Sequence, residues 1–210
     1  MRITNADRAN EALHLLVEGN ARFQRGEARF TGMRPDALAK LAKGQQPFAT
    51  ILGCSDSRVA PELIFDAVLG ELFVIRVAGN VLSSEIAGSL QYAGAHLRTP
   101  LFVVLGHSGC GAVHAALAYR LRGVRHQSRI QVLVDSILPG LCEIEANAAT
   151  EAQLSAAVAA NVRWTMRQIL ETEAGARVAA GEFKLVGGVY DIMTGAVHFL
   201  EATSSSSKFQ

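Results

Sequence analysis

The chain has little charge of either sign to spare: 20 lysines and arginines stand against 19 aspartates and glutamates in 210 residues, a net charge of +1. There is no basic field to gather nucleic acid and no acidic tail, so a polyanionic substrate is not expected. Long apolar runs are also missing. "FATILG" and "LFVVLG" fall far short of the roughly 18 to 20 residues that cross a bilayer, and no membrane span is expected. The opening "MRITNADRANEALHLLVEGN" scatters charges where a secretory signal needs an unbroken apolar core, which makes the cytoplasm the expected compartment. Cysteine is scarce and odd in number. Cys54, Cys110 and Cys142 do not make a secreted disulfide framework, so free or metal-bound thiols are expected, with Cys142, outside any motif, read as structural. Neither an internal repeat nor a dividing linker is present, and the length suits one domain over 1–210, with a helical arm over 1–45 and a frayed tail over 203–210.

What is present alternates strand and helix signals. From Ala9, the spacing of Leu13, Leu16, Val17 and Phe23 predicts one or two amphipathic helices, and Pro35 opens a second short helix through "DALAKLAK". Three nearly continuous apolar runs follow, "FATIL", "FVIRVA" and "LFVVLG", as strands covered on both faces would require, so they are expected to be parallel and central. Between the last two, "SSEIAGSLQYAGAHL" carries Ile86, Leu90, Ala93 and Leu97 at helical intervals, with Ser83 or Ser84 as cap, which predicts a βαβ crossover. A helix to about Arg122, a loop or further helix to Pro139, and an Ala-rich helix from about Glu151 to Glu173 come next. "FKLVGGVYDIMTGAVHFLE" alternates around a turn and reads as a hairpin on the sheet edge. The expected class is α/β: a central, mostly parallel sheet flanked by helices, with an N-terminal helical arm and a C-terminal edge hairpin.

Two loops carry the chemistry. "GCSDSR" follows the first strand and "GHSGCG" the third, and in an open α/β sheet both can face one crevice at the carboxyl ends of the strands. Cys54, His107 and Cys110 would then supply two thiolates and an imidazole, a donor set that suits zinc and leaves a fourth position for water or a carboxylate. Taken singly, each residue has a plainer reading. Cys54 could be a small buried hydrophobe, and Asp56 and Arg58 a surface ion pair. The joint pattern at matched topological positions favours the metal.

"CSDSRV" followed by "HSGCGAV" resembles the β-class carbonic anhydrases, and the resemblance runs from "LLVEGNARF" through "GELFVIRVAGN", "SLQYAGAHL" and "VVLGHSGCGAV" to "GGVYDIMTG". It implies one zinc ion per subunit held by Cys54, His107 and Cys110, and reversible hydration of carbon dioxide to bicarbonate and a proton. It also implies a homodimer or tetramer with the active site at the subunit interface. Zinc-bound hydroxide would be the nucleophile. Two thiolates already neutralise the ion, so activity is expected to favour alkaline pH. Ionised Asp56 can only accept hydrogen bonds and would orient that hydroxide, while the Arg58 fork holds Asp56 off the metal. Without that hold, Asp56 would become the fourth ligand of a closed state.

Further residues follow from the same resemblance. Gln45, nine positions before Cys54 and next to Gln46, matches a substrate-binding glutamine of plant-like relatives. Phe73 and Tyr92 match pocket aromatics, and Gly111 a substrate-binding position. His96, four residues after Tyr92, matches a candidate proton shuttle, with His114 a weaker one. Val77 stands where many relatives carry Asn. Ile51 stands where relatives with an inhibitory bicarbonate site carry Trp, so no such site is expected. Relatives that hydrolyse carbon disulfide or carbonyl sulfide, and a non-catalytic zinc protein with Asp56 fixed on the metal, are the competing readings. A dithiol redox role is weak, since there is no Cys-x-x-Cys.

Overall fold

In the computed structural model, residues 3–29, 35–144 and 150–200 are described; the tail expected over 203–210 lies outside them. Helix α1 (Asn5–Gln24) starts at a capping box, with the Asp7 amide donating to Thr4 Oγ1 at 3.1 Å and the Thr4 amide to Asp7 Oδ2 at 2.9 Å. It buries Ala9, Ala12 and Leu16 and passes so close to Phe65 that a Cβ at Gly19 would stand 1.9 Å from the Phe65 carbonyl oxygen. After α2 (Pro35–Leu41) come β1 (Ala49–Gly53), the single turn α3 (Pro61–Ile64) and β2 (Leu72–Arg76). A 3₁₀ turn over Ala78–Asn80 leads to α4 (Ser84–Tyr92), capped by Ser83. One π-helical turn, Ala93–Leu97, continues it to Arg98, which is left-handed at φ 53°. Next are β3 (Leu101–His107), α5 (Gly111–Arg122), α6 (Ile130–Ile137), a 3₁₀ turn over Leu138–Leu141, α7 (Thr150–Leu170), α8 (Glu173–Ala179), β4 (Lys184–Tyr190) and β5 (Val197–Phe199).

The sheet order is β2-β1-β3-β4-β5, parallel throughout except for β5, which pairs antiparallel with β4 as the expected edge hairpin. Alternation along the strands divides the core. Ile51, Val103 and Leu105 pack with Leu16, Val113 and Val134, whereas Leu52, Phe102 and Val104 pack with Leu90, Val162 and Ile169. Helix α7 lies hard against the sheet: a Cβ at Gly106 would meet Val162 Cγ2 at 2.6 Å.

Two expectations need correction. β2 is parallel but not central; it forms one edge of the sheet, and of its residues only Ile75 is buried. The Ala-rich helix does not run through Glu173 either. It stops at Leu170, and Thr172, in extended geometry with its hydroxyl accepting from the Ala174 amide, caps the separate helix α8. A Cβ at Gly175 would stand 1.8 Å from the Leu170 carbonyl oxygen, so the break folds too tightly for any side chain there. Among the described residues, no helix is long and apolar enough to cross a membrane.

Candidate metal centre

Parallel pairing brings the two loops together. Gly53 is level with Leu105 on the neighbouring strand, so Cys54, the next residue, emerges close to His107, the last residue of β3. The chain then turns through Gly109 (φ 66°), and Cys110 stands at the N-cap of α5. Cys54, His107 and Cys110 are all buried, and their ligand atoms lie within 4.8 Å of one another.

The donor set fits a tetrahedral ion with one open corner. His107 Nδ1 lies 2.9 Å from the Ser108 carbonyl oxygen, an acceptor, so Nδ1 carries the proton and Nε2 the lone pair. That Nε2 is buried with no hydrogen-bond partner, a vacancy a cation would satisfy. Both sulfurs sit among backbone donors. The Gly79 amide points at Cys54 Sγ from 3.4 Å, and the Ala112 and Val113 amides at the start of α5 favour the thiolate of Cys110. Donation from the Cys110 thiol favours the thiolate of Cys54 and pulls its pKa down, while that contact together with burial pushes Cys110 up.

Asp56 and Arg58 form a fork beside this triad. Arg58 Nε donates to Asp56 Oδ1 at 2.9 Å, Nη2 to Oδ2 at 2.7 Å, and the Arg58 amide to Oδ1 at 3.0 Å. These bonds hold the Asp56 carboxyl well below the usual carboxylate range, so it is ionised at neutral pH. Its Oδ2 is 3.9 Å from His107 Nε2.

Sequence reasoning missed the supports. Arg76, at the end of β2, donates from Nε to the Cys54 carbonyl at 2.9 Å and from Nη2 to the Asp56 carbonyl at 2.6 Å, so one guanidinium fixes the loop carrying both residues. Asn161 on α7 donates to the Gly79 carbonyl at 2.8 Å, and Thr165 to the Asn80 carbonyl at 3.1 Å, holding the turn whose amide faces Cys54. "VAGN", with a buried Gly79 at φ 73°, was the available signal.

Other candidates are not gathered here. Phe73 is level with Thr50, four residues before Cys54, which places it about 13 Å back along the strand direction. Exposed Gln45 precedes β1, at the opposite end of the strand from Cys54. Tyr92, half exposed, has its ring 6.0 Å from that of Phe73 and 5.1 Å from that of His96, so these three make an aromatic cluster of their own. Tyr92 and His96 border a cavity of about 380 Å³ with Glu173 and Arg177. Gly111 is exposed beside Cys110, and apart from its chain neighbours and its own helix backbone nothing lies within 4 Å of where a Cβ would stand. His114 is exposed on α5, Ile51 is fully buried in β1, and Cys142, read as structural, is an exposed free thiol.

Comparison with known proteins points one way. A family model described as carbonic anhydrase matches residues 49–197. Carbonic anhydrase 2 of Mycobacterium tuberculosis is 47% identical over 126 residues, 60% of this chain and 61% of that protein, so the match spans less than two thirds of that relative's length. The carbonic anhydrase of Mycolicibacterium smegmatis is 35% identical over 182 residues, 87% of this chain and 88% of that one. Among solved structures, the β-carbonic anhydrase CcaA superposes with a TM-score of 0.70 at 28% identity, covering 89% of this chain and 94% of its own. The Coccomyxa β-carbonic anhydrase in complex with acetazolamide gives 0.71 at 27%, covering 90% and 86%.

Proposed function

Because the chain belongs to the β-carbonic anhydrase family, we propose that it catalyses the reversible hydration of carbon dioxide to bicarbonate and a proton. We assign Cys54, His107 and Cys110 as the holders of one zinc ion per subunit. The observation that carries this reading is the buried triad with an unpartnered His107 Nε2, next to a carboxylate clamped by an arginine.

Zinc, when bound, supplies Lewis acidity that makes a water molecule a competent nucleophile near neutral pH. The remaining work belongs to the protein. Ionised Asp56 can only accept hydrogen bonds and would orient the O–H of the nucleophile so that its lone pair is free for carbon dioxide. Arg58 engages both Asp56 oxygens and keeps them from the metal corner; once released, Asp56 would fill that corner and close the site. Two thiolates dampen the acidity the metal can confer, so hydration should favour alkaline pH. The open space over Gly111 leaves room for substrate beside Cys110.

The residues expected to form the substrate slot, Gln45, Phe73 and Tyr92, stand away from Cys54 on the same chain. A second copy would supply it. This favours a homodimer or tetramer with the active site at the subunit interface, in keeping with the tetrameric β-carbonic anhydrases of Sordaria macrospora, which share the fold at a TM-score of 0.73 and 24% identity. His96, its ring tilted against that of Tyr92 at 5.1 Å, would travel with that slot as a proton shuttle. A reducing cytoplasm suits the three free cysteines.

Stopped-flow carbon dioxide hydration across pH, on protein of measured zinc content, tests the reading. The expected result is turnover that rises with pH and disappears with the metal. Full zinc without hydration at any pH would instead identify a non-catalytic zinc protein or a hydrolase of carbon disulfide or carbonyl sulfide.

A further inference from the structure

His107 can present Nε2 to a metal only while Nδ1 keeps its proton, and the acceptor for that proton is the carbonyl of the next residue, Ser108, at 2.9 Å. The direction of that carbonyl depends on what fixes Ser108. Among the described residues, its fixing contacts come from the end of β4 and the turn that follows. The Ser108 amide donates to the Tyr190 carbonyl at 2.8 Å, and Ser108 Oγ accepts from the Ile192 amide at 2.9 Å and reaches Asp191 Oδ1 at 3.5 Å.

The turn is built to stay in place. Asp191 Oδ1 accepts from the Met193 amide at 2.9 Å and Oδ2 from the Thr194 hydroxyl at 2.9 Å, while the Gly195 amide donates to the Asp191 carbonyl at 2.8 Å. On its other side, buried Asn20 of α1 donates to the Gly195 carbonyl at 2.8 Å and accepts from the Val197 amide at 2.9 Å. A loop needed only to join two strands would not require a connection to the metal histidine.

We propose that Ser108 and the Asp191 turn are positioning residues for His107: they lock the Ser108 carbonyl against Nδ1–H and so keep Nε2 aimed into the Cys54–Cys110 gap. Neither is among the candidate metal ligands. The proposal rests on the zinc reading above and adds to it that the C-terminal hairpin governs how well the histidine holds the ion.

The test uses readouts that need no turnover: the His107 tautomer in zinc-free protein, by long-range nitrogen–proton NMR, and the rate of zinc loss to a chelator. In the parent, the proton should sit on Nδ1. Ser108→Ala should mix the two tautomers and speed zinc loss by about 10- to 100-fold, the usual effect of losing an outer-shell partner. Asp191→Ala, a second route to the same loosening, should do likewise, and Asp191→Asn should recover part of the loss by still accepting from Met193. Val197→Ala is the control, since it weakens hairpin packing without removing a Ser108 hydrogen bond; it should lower Tm and leave zinc loss unchanged. The proposal falls if Ser108→Ala and Asp191→Ala keep the parent tautomer with zinc loss within about twofold, or if Val197→Ala speeds zinc loss equally. A chain that holds zinc but hydrates no carbon dioxide, while showing these shifts, would still support it and count against the enzymatic reading alone.

Discussion

Asn161 offers the most direct way to ask whether α7 supports the metal loop. Its amide donates to the Gly79 carbonyl at 2.8 Å, and the amide of the same Gly79 points at Cys54 Sγ at 3.4 Å. Asn161→Ala strands a buried carbonyl, which costs about 1–3 kcal/mol. Part of that cost is offset, because Asn161 Oδ1 is itself buried without a partner and the substitution removes it. A net loss of about 1–2 kcal/mol is expected, which at about 2–4 °C per kcal/mol for a domain of this size lowers Tm by about 2–8 °C. The functional consequence is separate: a loosened Gly79 no longer faces Cys54, and zinc should leave about tenfold faster. Thr165 holds the next carbonyl of the same turn, so Thr165→Val combined with Asn161→Ala should depart from additivity. Scanning calorimetry and chelator-driven zinc release measure the two effects. An Asn161→Ala protein with Tm within about 1 °C of the parent and unchanged zinc release would refute the reasoning.

Three further predictions probe other contacts. Arg58→Ala should free Asp56 and abolish hydration while zinc stays bound; a crystal structure of that variant with Asp56 unmoved and turnover intact would contradict the gate. Asp66 is fully buried as a side chain and accepts from Arg22 Nε at 2.5 Å and from the Arg29 amide at 2.6 Å. Burial alone would raise its carboxyl, but these donors outweigh it and hold the group below its ordinary value. Its contribution is therefore present above the unfolded value near ~4 and fades as pH falls through the lower folded value. Asp66→Asn should cost ~2–3 kcal/mol at pH 7, less than a fully buried pair because Arg29 is half exposed. The Tm gap should narrow on acidification, and a gap undiminished at strongly acid pH would count against the assignment. Finally, Cys54→Ala and Tyr92→Ala chains, each inactive alone, should regain roughly a quarter of parent activity when coexpressed, if each site takes its metal from one copy and its slot from another. No recovery from a demonstrated heterodimer would place the whole site in one chain.

The parts of this fold legible in the sequence were those with a strong local signal. The buried runs of β1 and β3, the Ser83 cap of α4 and the turn before β5 all declare themselves within a dozen residues. The break between α7 and α8 did not, because one threonine cap among good helix formers leaves the apolar rhythm intact. The convergence of Cys54, His107 and Cys110 into a cluster that could hold a metal was legible because the two loops follow strands that the βαβ pattern makes parallel. Its supports were not, because Arg76 and Asn161 act on backbone carbonyls and leave no motif.

β2 shows where the same signal misleads. An apolar strand reads as central, yet β2 lies at the edge, with Leu72, Phe73 and Val74 only partly covered by their own chain. Phe73 and Tyr92 belong to that edge, and the sheet register separates Phe73 from Cys54 by four residues of strand. A motif carries no label for the subunit it serves. "ELFVIR" and "SLQYAG" read by resemblance as pocket segments, just as "CSDSR" reads as the metal loop, but the register sets Phe73 level with Thr50 and not with Cys54. We propose one common remedy for the incomplete cover on β2 and the distance of Phe73 from the candidate metal centre, a second copy of the chain. The coexpression experiment tests that remedy directly, because it fails if either half of the inference is wrong.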